Sequence, residues 1–297
     1  MKIILAGGSG FIGRYIQKRF LEDGHVTCVL TRNPKQEDDV YWDGETLGAW
    51  LSDLDGADVL INLSGRSVDC RYNEKNKKVI YDSRLKSTAI LGLALSNCTN
   101  PPKIWLNSST ATIYGHSEDC PMDDYTGKIG AGFSVDVARK WERTFFTSFG
   151  EGIRKVALRT AIVLGKEGGA YAYFKGLTKV GLGGFQGSGN QMVSWVHEED
   201  VYGIIQFIIK EESIAGPINV TAPNPITNYK FMQAFRSVFK MSFGIPIFKW
   251  MLIIGAFVLR TEPELLLKSR WVIPKRLLNL GFEFKYSSVE SAIRNLK

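Results

Sequence analysis

The tightest constraint on the fold lies at the start of the chain. A short apolar run, Lys2–Ala6, passes directly into Leu5-Ala6-Gly7-Gly8-Ser9-Gly10-Phe11-Ile12-Gly13. A helical pattern follows, with apolar residues at Phe11, Ile12, Tyr15, Ile16, Phe20 and Leu21, and Gly24 closes it as a C-terminal glycine does. A strand that turns at once into a helix needs glycine wherever a Cβ would clash. The helix N-terminus then offers unpaired N–H groups and the positive end of its dipole to an anion such as a diphosphate. Two spacings fit, G-x-x-G-x-x-G on 7, 10 and 13, or G-x-G-x-x-G on 8, 10 and 13. Either pattern alone is weak. Between a first strand and a first helix it reads as a dinucleotide-binding turn, the plainer alternative being a merely tight βα connection.

The following residues repeat the alternation. Val26–Leu30, Ala57–Leu63, Lys103–Asn107 and Lys155–Leu164 read as strands, and 73–98 and 133–149 as helices. Parallel strands need crossovers, so β-then-α repeated over 165 residues predicts an α/β fold, a Rossmann-type doubly wound parallel sheet. Composition shifts after Leu164. Nine glycines fall between Gly165 and Gly189, a loop-rich stretch that can approach a ligand closely. The expectation is a dinucleotide domain over 1–165 with later segments returning to it, and a smaller C-terminal substrate lobe over 166–297, interleaved with it.

The end of the second strand discriminates between cofactors. An NAD site usually places Asp or Glu there to hold the ribose hydroxyls; this chain has Thr31-Arg32, and a guanidinium favours a 2′-phosphate. NADP is expected, NAD less so; the alternative is that Arg32 is a surface residue. The third strand ends in Asn62-Leu63-Ser64-Gly65, small residues at the strand edge where open α/β sheets bind ligands.

Composition excludes other classes. Four scattered cysteines without a C-x-x-C pair fit a reducing compartment, and three separated histidines give no metal pattern, so no metal is expected. The charge of +7 is uneven, with nine Lys and Arg against four Glu from Pro246 to Lys297. These basic residues are spread out, without a Lys/Arg run or a nucleic-acid module signature, so neither nucleic acid nor a membrane is expected as partner. The apolar stretch 250–259 is half the length of a spanning helix and reads as a buried helix. Met1–Ala6 is too short for a signal peptide's apolar region, and a cytoplasmic protein is expected.

Together, Gly7–Gly13, Leu30-Thr31-Arg32, Ile61–Gly65, Asp82-Ser83-Arg84, Ser108–Gly115, Trp141-Glu142 and Arg159–Gly165 resemble the extended short-chain dehydrogenase/reductase superfamily. More narrowly, with Gly181–Gly189, Ser194–His197, Gly216–Asn219 and Val272–Pro274, they resemble its atypical epimerase-family branch of NADP-dependent oxidoreductases, type 39U. The resemblance covers nearly the whole chain. It implies a cofactor site lined by Thr31, Arg32, Leu63, Ser64, Arg84 and Ile162, with Ser108 and Ser109 beside it, and Val79 where some relatives carry an acid. It also implies a small-molecule substrate and a homodimer through the sheet-flanking helices.

The superfamily's usual chemistry is hydride transfer, with a Ser or Thr polarising the substrate and a Tyr-x-x-x-Lys pair as acid/base. Thr110 falls at the hydroxyl position. Aligned on Glu142, however, Ser134 stands where the tyrosine belongs and Ala138 where the lysine belongs; Lys140 is on another helix face. Tyr114 is a candidate substitute acid, otherwise a packing residue. His197 is the other titratable group, read as a buried imidazole bonded to main chain, with Asp200 capping the next helix. Gln191 faces either the pocket or solvent. Two functions remain: an NADP-dependent oxidoreductase or epimerase-like enzyme, or a non-catalytic NADP(H)-binding sensor or regulatory module.

Overall fold

The computed structural model describes residues 1–259, 262 and 264–297. Seven parallel strands form the main sheet: β1 (Lys2–Ala6), β2 (Val26–Thr31), β3 (Asp39–Tyr41), β4 (Val59–Asn62), β5 (Ile104–Thr110), β6 (Arg154–Thr160) and, returning from the second half of the chain, β11 (Gly216–Val220). Their spatial order is β11-β6-β5-β4-β1-β2-β3, so the winding reverses between β1 and β4. Helices cover both faces, as a parallel sheet requires. Ile3 and Leu5 of β1 pack with Ile16 and Phe20 of α1 (Phe11–Glu22), together with Val201, Ile204 and Ile208 of α6 (Glu198–Lys210). Ile4 and Ala6 face the other way, toward α2 (Leu51–Leu54), α3 (Glu74–Leu95) and α4 (Phe133–Thr147), where Leu54, Leu91, Leu95 and Phe145 are buried. The period of two along a strand thus feeds two cores at once.

The remaining elements form two smaller sheets and further helices, with Val163 and Val196 still packed in the main core. β7 (Ile162–Gly165), β8 (Gly168–Gly169) and β10 (Trp195–His197) form a small sheet, and β9 (Met192–Val193) pairs with β12 (Ile226–Thr227). Phe174 of α5 (Ala170–Lys179), Phe231 and Phe235 of α7 (Asn228–Phe239) and Ile293 of α11 (Val289–Leu296) share a further core. Three further helices, α8 (Lys249–Leu259), α9 (Glu264–Leu267) and α10 (Lys275–Asn279), complete the chain.

Three expectations need correction. Lys155–Leu164 is not one strand. At Ala161 the backbone N–H bonds Val220 and the next one bonds Ser194, so the chain leaves the main sheet and β7 pairs with β10 instead. The helix expected to be buried over 250–259 is largely exposed where its side chains are described: Trp250, Ile253 and Ile254 face solvent, and among residues 249–255 only Leu252 is buried; the side chains of 256–259 lie outside the described residues. Residues 250–254 are apolar throughout, so no amphipathic pattern singles out one face for packing. Asp200, finally, does not cap α6. His197 does, its Nδ1 accepting the Glu199 N–H at 3.0 Å. Asp200 instead accepts the N–H groups of Lys285 (2.8 Å) and Tyr286 (3.1 Å), tying the C-terminal segment down, and burial pushes its carboxyl up to about 6.

His197 is fully buried and stacked on Tyr286, ring centroids 3.9 Å apart. Burial pulls its pKa down to about 4, so the folded chain holds it neutral while the unfolded chain protonates it near the ordinary value of about 6.5. Between those two values the unfolded state binds more protons, so the stability that His197 contributes is complete above pH 6.5 and falls as the pH drops toward 4. From pH 7 to pH 5 the loss is up to about 2 kcal/mol. A His197→Asn variant can still accept the Glu199 N–H but cannot titrate. Urea unfolding at pH 7 and pH 5 should therefore show a smaller acid loss in the variant, whereas equal losses would refute the assignment. Asp200 acts in the opposite direction in both proteins and cancels in the comparison.

Candidate functional site

The glycines of the first turn divide three tasks among them. Gly7 has φ +70°, and a Cβ on it would stand 2.7 Å from Ser64 Oγ and 2.8 Å from Ser64 Cα. A Cβ on Gly13 would fall 2.2 Å from the carbonyl oxygen of Gly8, so α1 packs against the loop's own main chain. A Cβ on Gly10 would meet nothing within 4 Å. Both spacings share the open approach at Gly10 and the close helix contact at Gly13; Gly7 adds a left-handed turn, and a Cβ on Gly8 would fall 2.7 Å from Leu5 Cβ. Gly10 is the N-cap of α1 and supplies no side chain, so the first N–H groups of the helix have no side-chain acceptor. Ser9 is exposed beside them, and Phe11 wedges its ring where Cβ atoms of Gly165, Gly168 and Gly169 would otherwise be. Ile12 is half-buried behind the loop.

The cradle continues on both sides. Thr31 donates to Ser9 Oγ at 2.9 Å, joining the end of β2 to the glycine loop. Arg32 is exposed and has no ion-pair partner among the described residues. The loop beyond it is pinned: Asp39 accepts the Lys35 and Gln36 N–H groups and pairs with Arg14 of α1 at 2.7 Å, which holds its carboxyl below the usual range. Across the sheet reversal, Ser64 Oγ is buried without a hydrogen-bond partner among the described residues, with Leu63 half-buried and Gly65 exposed beside it. The Arg84 guanidinium lies against Gly65 and over the Trp141 ring, 5.1 Å from its centroid. Burial pulls its pKa down to about 10, and no carboxylate among the described residues pairs with it. Among the described residues, an uncapped helix end, a hydroxyl without a partner, a desolvated guanidinium and an exposed one thus stand after β1, β2 and β4. That set suits a phosphate-rich dinucleotide.

Two buried networks set the floor. Asn62 Nδ2 bonds Asn107 Oδ1 at 2.6 Å and Thr88 Oγ1 at 3.1 Å, Trp141 Nε1 donates to the same threonine, and Ser64 N–H bonds Asn62 Oδ1. Farther along, Arg159 grips Glu142 through two bonds of 2.8 and 2.7 Å, both side chains nine-tenths buried. Sequence reasoning passed over Asn107, Thr88 and the Arg159–Glu142 pair. A polar residue at the end of an apolar strand was the signal available for Asn107, and Arg in an apolar strand the signal for Arg159.

The second network absorbs two expected site residues. Ser109, expected at the cofactor, donates its hydroxyl to Glu142 Oε1 at 2.6 Å. Tyr114, the candidate acid, is buried; its hydroxyl donates to Asn219 and accepts from Arg159, each at 2.9 Å, and burial raises its pKa. Ser108 and Ile162 are half-exposed. Thr110 is also half-exposed, and its Oγ1 accepts the Thr112 N–H at 3.1 Å, leaving its own proton to donate. Ser134 lies 3.4 Å from Glu264 of α9, and Ala138 is fully buried. Gln191 is buried, bonding the Gln186 carbonyl at 2.7 Å.

Residues 3–133 match the NAD dependent epimerase/dehydratase family, and residues 248–296 match a domain of unknown function, DUF1731. The chain is 30% identical to the chloroplastic SDR39U1 homolog of Arabidopsis thaliana, an epimerase family protein, over 99% of this chain and 86% of that one. It is 30% identical to the epimerase family protein YfhF of Bacillus subtilis, over 100% and 98%. The crystal structure of human epimerase family protein SDR39U1 with NADPH superimposes with a TM-score of 0.90 at 28% identity, covering 100% of this chain and 99% of that one. No helix among the described residues is long and apolar enough to cross a membrane.

The turn makes its own prediction. In a Gly13→Ala variant the new methyl must displace the Gly8 main chain, which cannot rotate away. Overpacking of this kind costs about 1–3 kcal/mol. The melting temperature should drop and dinucleotide affinity should fall with it. An alanine variant that melts and binds like the parent would show that α1 has room to move.

Proposed function

This chain belongs to the NAD-dependent epimerase/dehydratase family, and from that premise we propose that it is an NADP(H)-dependent oxidoreductase or epimerase-like enzyme acting on a small molecule. The observation that carries the reading is the convergence of the uncapped α1 terminus, Ser64 and Arg84 on the sheet reversal, with Arg32 exposed at the end of β2. The α1 N–H groups would hold the diphosphate, Arg32 the 2′-phosphate beside Thr31, and Leu63, Ser64 and Ile162 the rings and ribose. When bound, the dinucleotide supplies or accepts hydride. Thr110, its proton unclaimed, would donate to the substrate oxygen and so favour charge developing there. Tyr114 belongs to the floor, since both partners of its hydroxyl are buried protein groups.

Calorimetry with NADPH and NADH tests the cofactor half. The parent should prefer NADPH. Arg32→Ala should weaken NADPH by about tenfold or more, the worth of a charge-assisted pair, and leave NADH unchanged. Equal loss for both dinucleotides would remove Arg32 from the 2′-phosphate, and no heat with either would remove the function.

A second reading has one observation in its favour. The positions of the acid/base pair hold Ser134, engaged with Glu264, and the buried Ala138, so α4 carries no proton donor there. A module that binds NADP(H) without turnover is the outcome that this arrangement would permit. Screening NADPH oxidation against a carbonyl library separates the two. If turnover is found, Thr110→Ala should lower kcat by about 100-fold, the loss of one oxyanion donor, with NADPH affinity unchanged; an unaltered kcat would free Thr110 of the role.

A further inference from the structure

Just past the end of β6, a cavity of about 20 Å³ opens among Ile162, Phe174, Met192, Gln186, Lys268 and Arg270, with Asn228 also on its wall. That is far below the size of a whole small-molecule site and leaves room for one small polar group. No acidic residue is among the described residues that line it. Four polar residues stand on its wall, and the two amide oxygens among them, of Gln186 and Asn228, are already engaged. Gln186 is fully buried, and its Nε2 has no hydrogen-bond partner among the described residues. The orientation of that amide follows from its neighbour: Asn228 Oδ1 accepts the Gln186 backbone N–H at 2.7 Å, which turns Asn228 Nδ2 toward Gln186 Oε1 at 3.4 Å and leaves the Gln186 nitrogen as the idle end. A buried donor left idle is a cost of folding that an acceptor on a ligand would recover.

The two charged groups on the wall are both cations. Lys268 Nζ donates to the Thr112 carbonyl at 2.9 Å, and an ammonium has three donors. Arg270 Nε donates to Thr112 Oγ1 at 3.1 Å. Burial, and then repulsion by Arg270, lowers the Lys268 pKa despite Glu264 nearby; burial also lowers that of Arg270. Both cations hold the residue two places beyond Thr110, so the cavity adjoins the proposed reacting position.

We propose that this cavity receives an anionic group of the substrate, a carboxylate or a phosphate, held by Gln186 Nε2 and Lys268 in the positive field of Arg270. The substrate class is then a small carbonyl or alcohol compound bearing an acid group, not a neutral one. The assignment rests on the cofactor reading above, because it is the nicotinamide that would make the anchored molecule a substrate.

The test is calorimetric titration of the full-length chain, with and without saturating NADPH, by malonate, by inorganic phosphate and by the neutral malonamide. At least one anion should bind the NADPH-loaded protein about tenfold or more tightly than malonamide, and which one does distinguishes carboxylate from phosphate. Gln186→Glu, which keeps the shape and adds a negative charge, should weaken that anion by about tenfold or more and leave malonamide unchanged. Lys268→Met should do the same, and the Gln186 variant stands alone if the methionine variant fails to fold. Anions that bind no better than malonamide, or a Gln186→Glu variant that binds them like the parent, overturn the proposal. Absence of NADPH binding with anion preference intact would sink the cofactor reading and leave the anion site standing.

Discussion

The contact of α1 with the main chain of Gly8 is the constraint on which the remaining geometry turns. Because no side-chain atom fits between Gly13 and the Gly8 carbonyl, the helix starts hard against β1 and its N-terminus is aimed over the strand's end. The same turn places Gly7 on Ser64, at the end of β4. β1 and β4 are neighbours on either side of the winding reversal, so one turn brings both lips of the cleft within a few ångströms. Crevices at such reversals are where open α/β sheets bind their ligands. A chain that filled Gly7 or Gly13 would keep its strands and lose the place where they converge.

Rigidity beneath that cleft comes from polar groups rather than from apolar packing. Asn62 and Asn107 lie opposite each other in the register of β4 and β5, and their side chains bond across the strands and up to the Ser64 N–H. Ser109 and Arg159 lie opposite each other in β5 and β6, and Glu142 of α4 closes on both. Tyr114 extends this second set to Asn219 of β11, whose own N–H is held by Asp124. A buried ion pair is weak evidence for net stability, but removing one partner strands the other charge at a cost of about 3–5 kcal/mol. Each member therefore specifies the position of the next, and the ends of four strands, β4, β5, β6 and β11, are fixed in relation to one another.

What could be read from the residues alone was what is local. The glycine turn, the apolar runs of strands buried on both faces and the helix after Gly24 each declare themselves within about ten residues. The break at Ala161 does not, because Arg159-Thr160-Ala161-Ile162 has the composition of one strand throughout; only the competing partners Val220 and Ser194, more than thirty residues away, divide it. Tyr114 and Ser109 sit in a segment whose resemblance placed them near chemistry, yet which of successive side chains faces the cleft depends on what the opposite face must satisfy. Here it must satisfy Arg159. Asp200 likewise has the composition of a cap, and its carboxylate went to Lys285 and Tyr286, for which no short-range signal exists.

The replacement of the acid/base pair has a structural counterpart on the other wall of the cleft. With Ala138 buried and Ser134 turned to Glu264, α4 presents packing where ionisable groups would stand. The ionisable groups near Thr110 come instead from the segment after α9. Thr112 is held on three sides, its N–H by Thr110, its carbonyl by Lys268 and its hydroxyl by Arg270. The turn that orients the Thr110 hydroxyl is therefore built by the same two cations that line the cavity. An anion drawing on either cation would compete with, or tighten, the bonds that set that turn. Occupancy of the cavity and the aim of the hydroxyl are linked through Thr112, an arrangement that the Tyr-x-x-x-Lys pair, housed on a single helix, does not need.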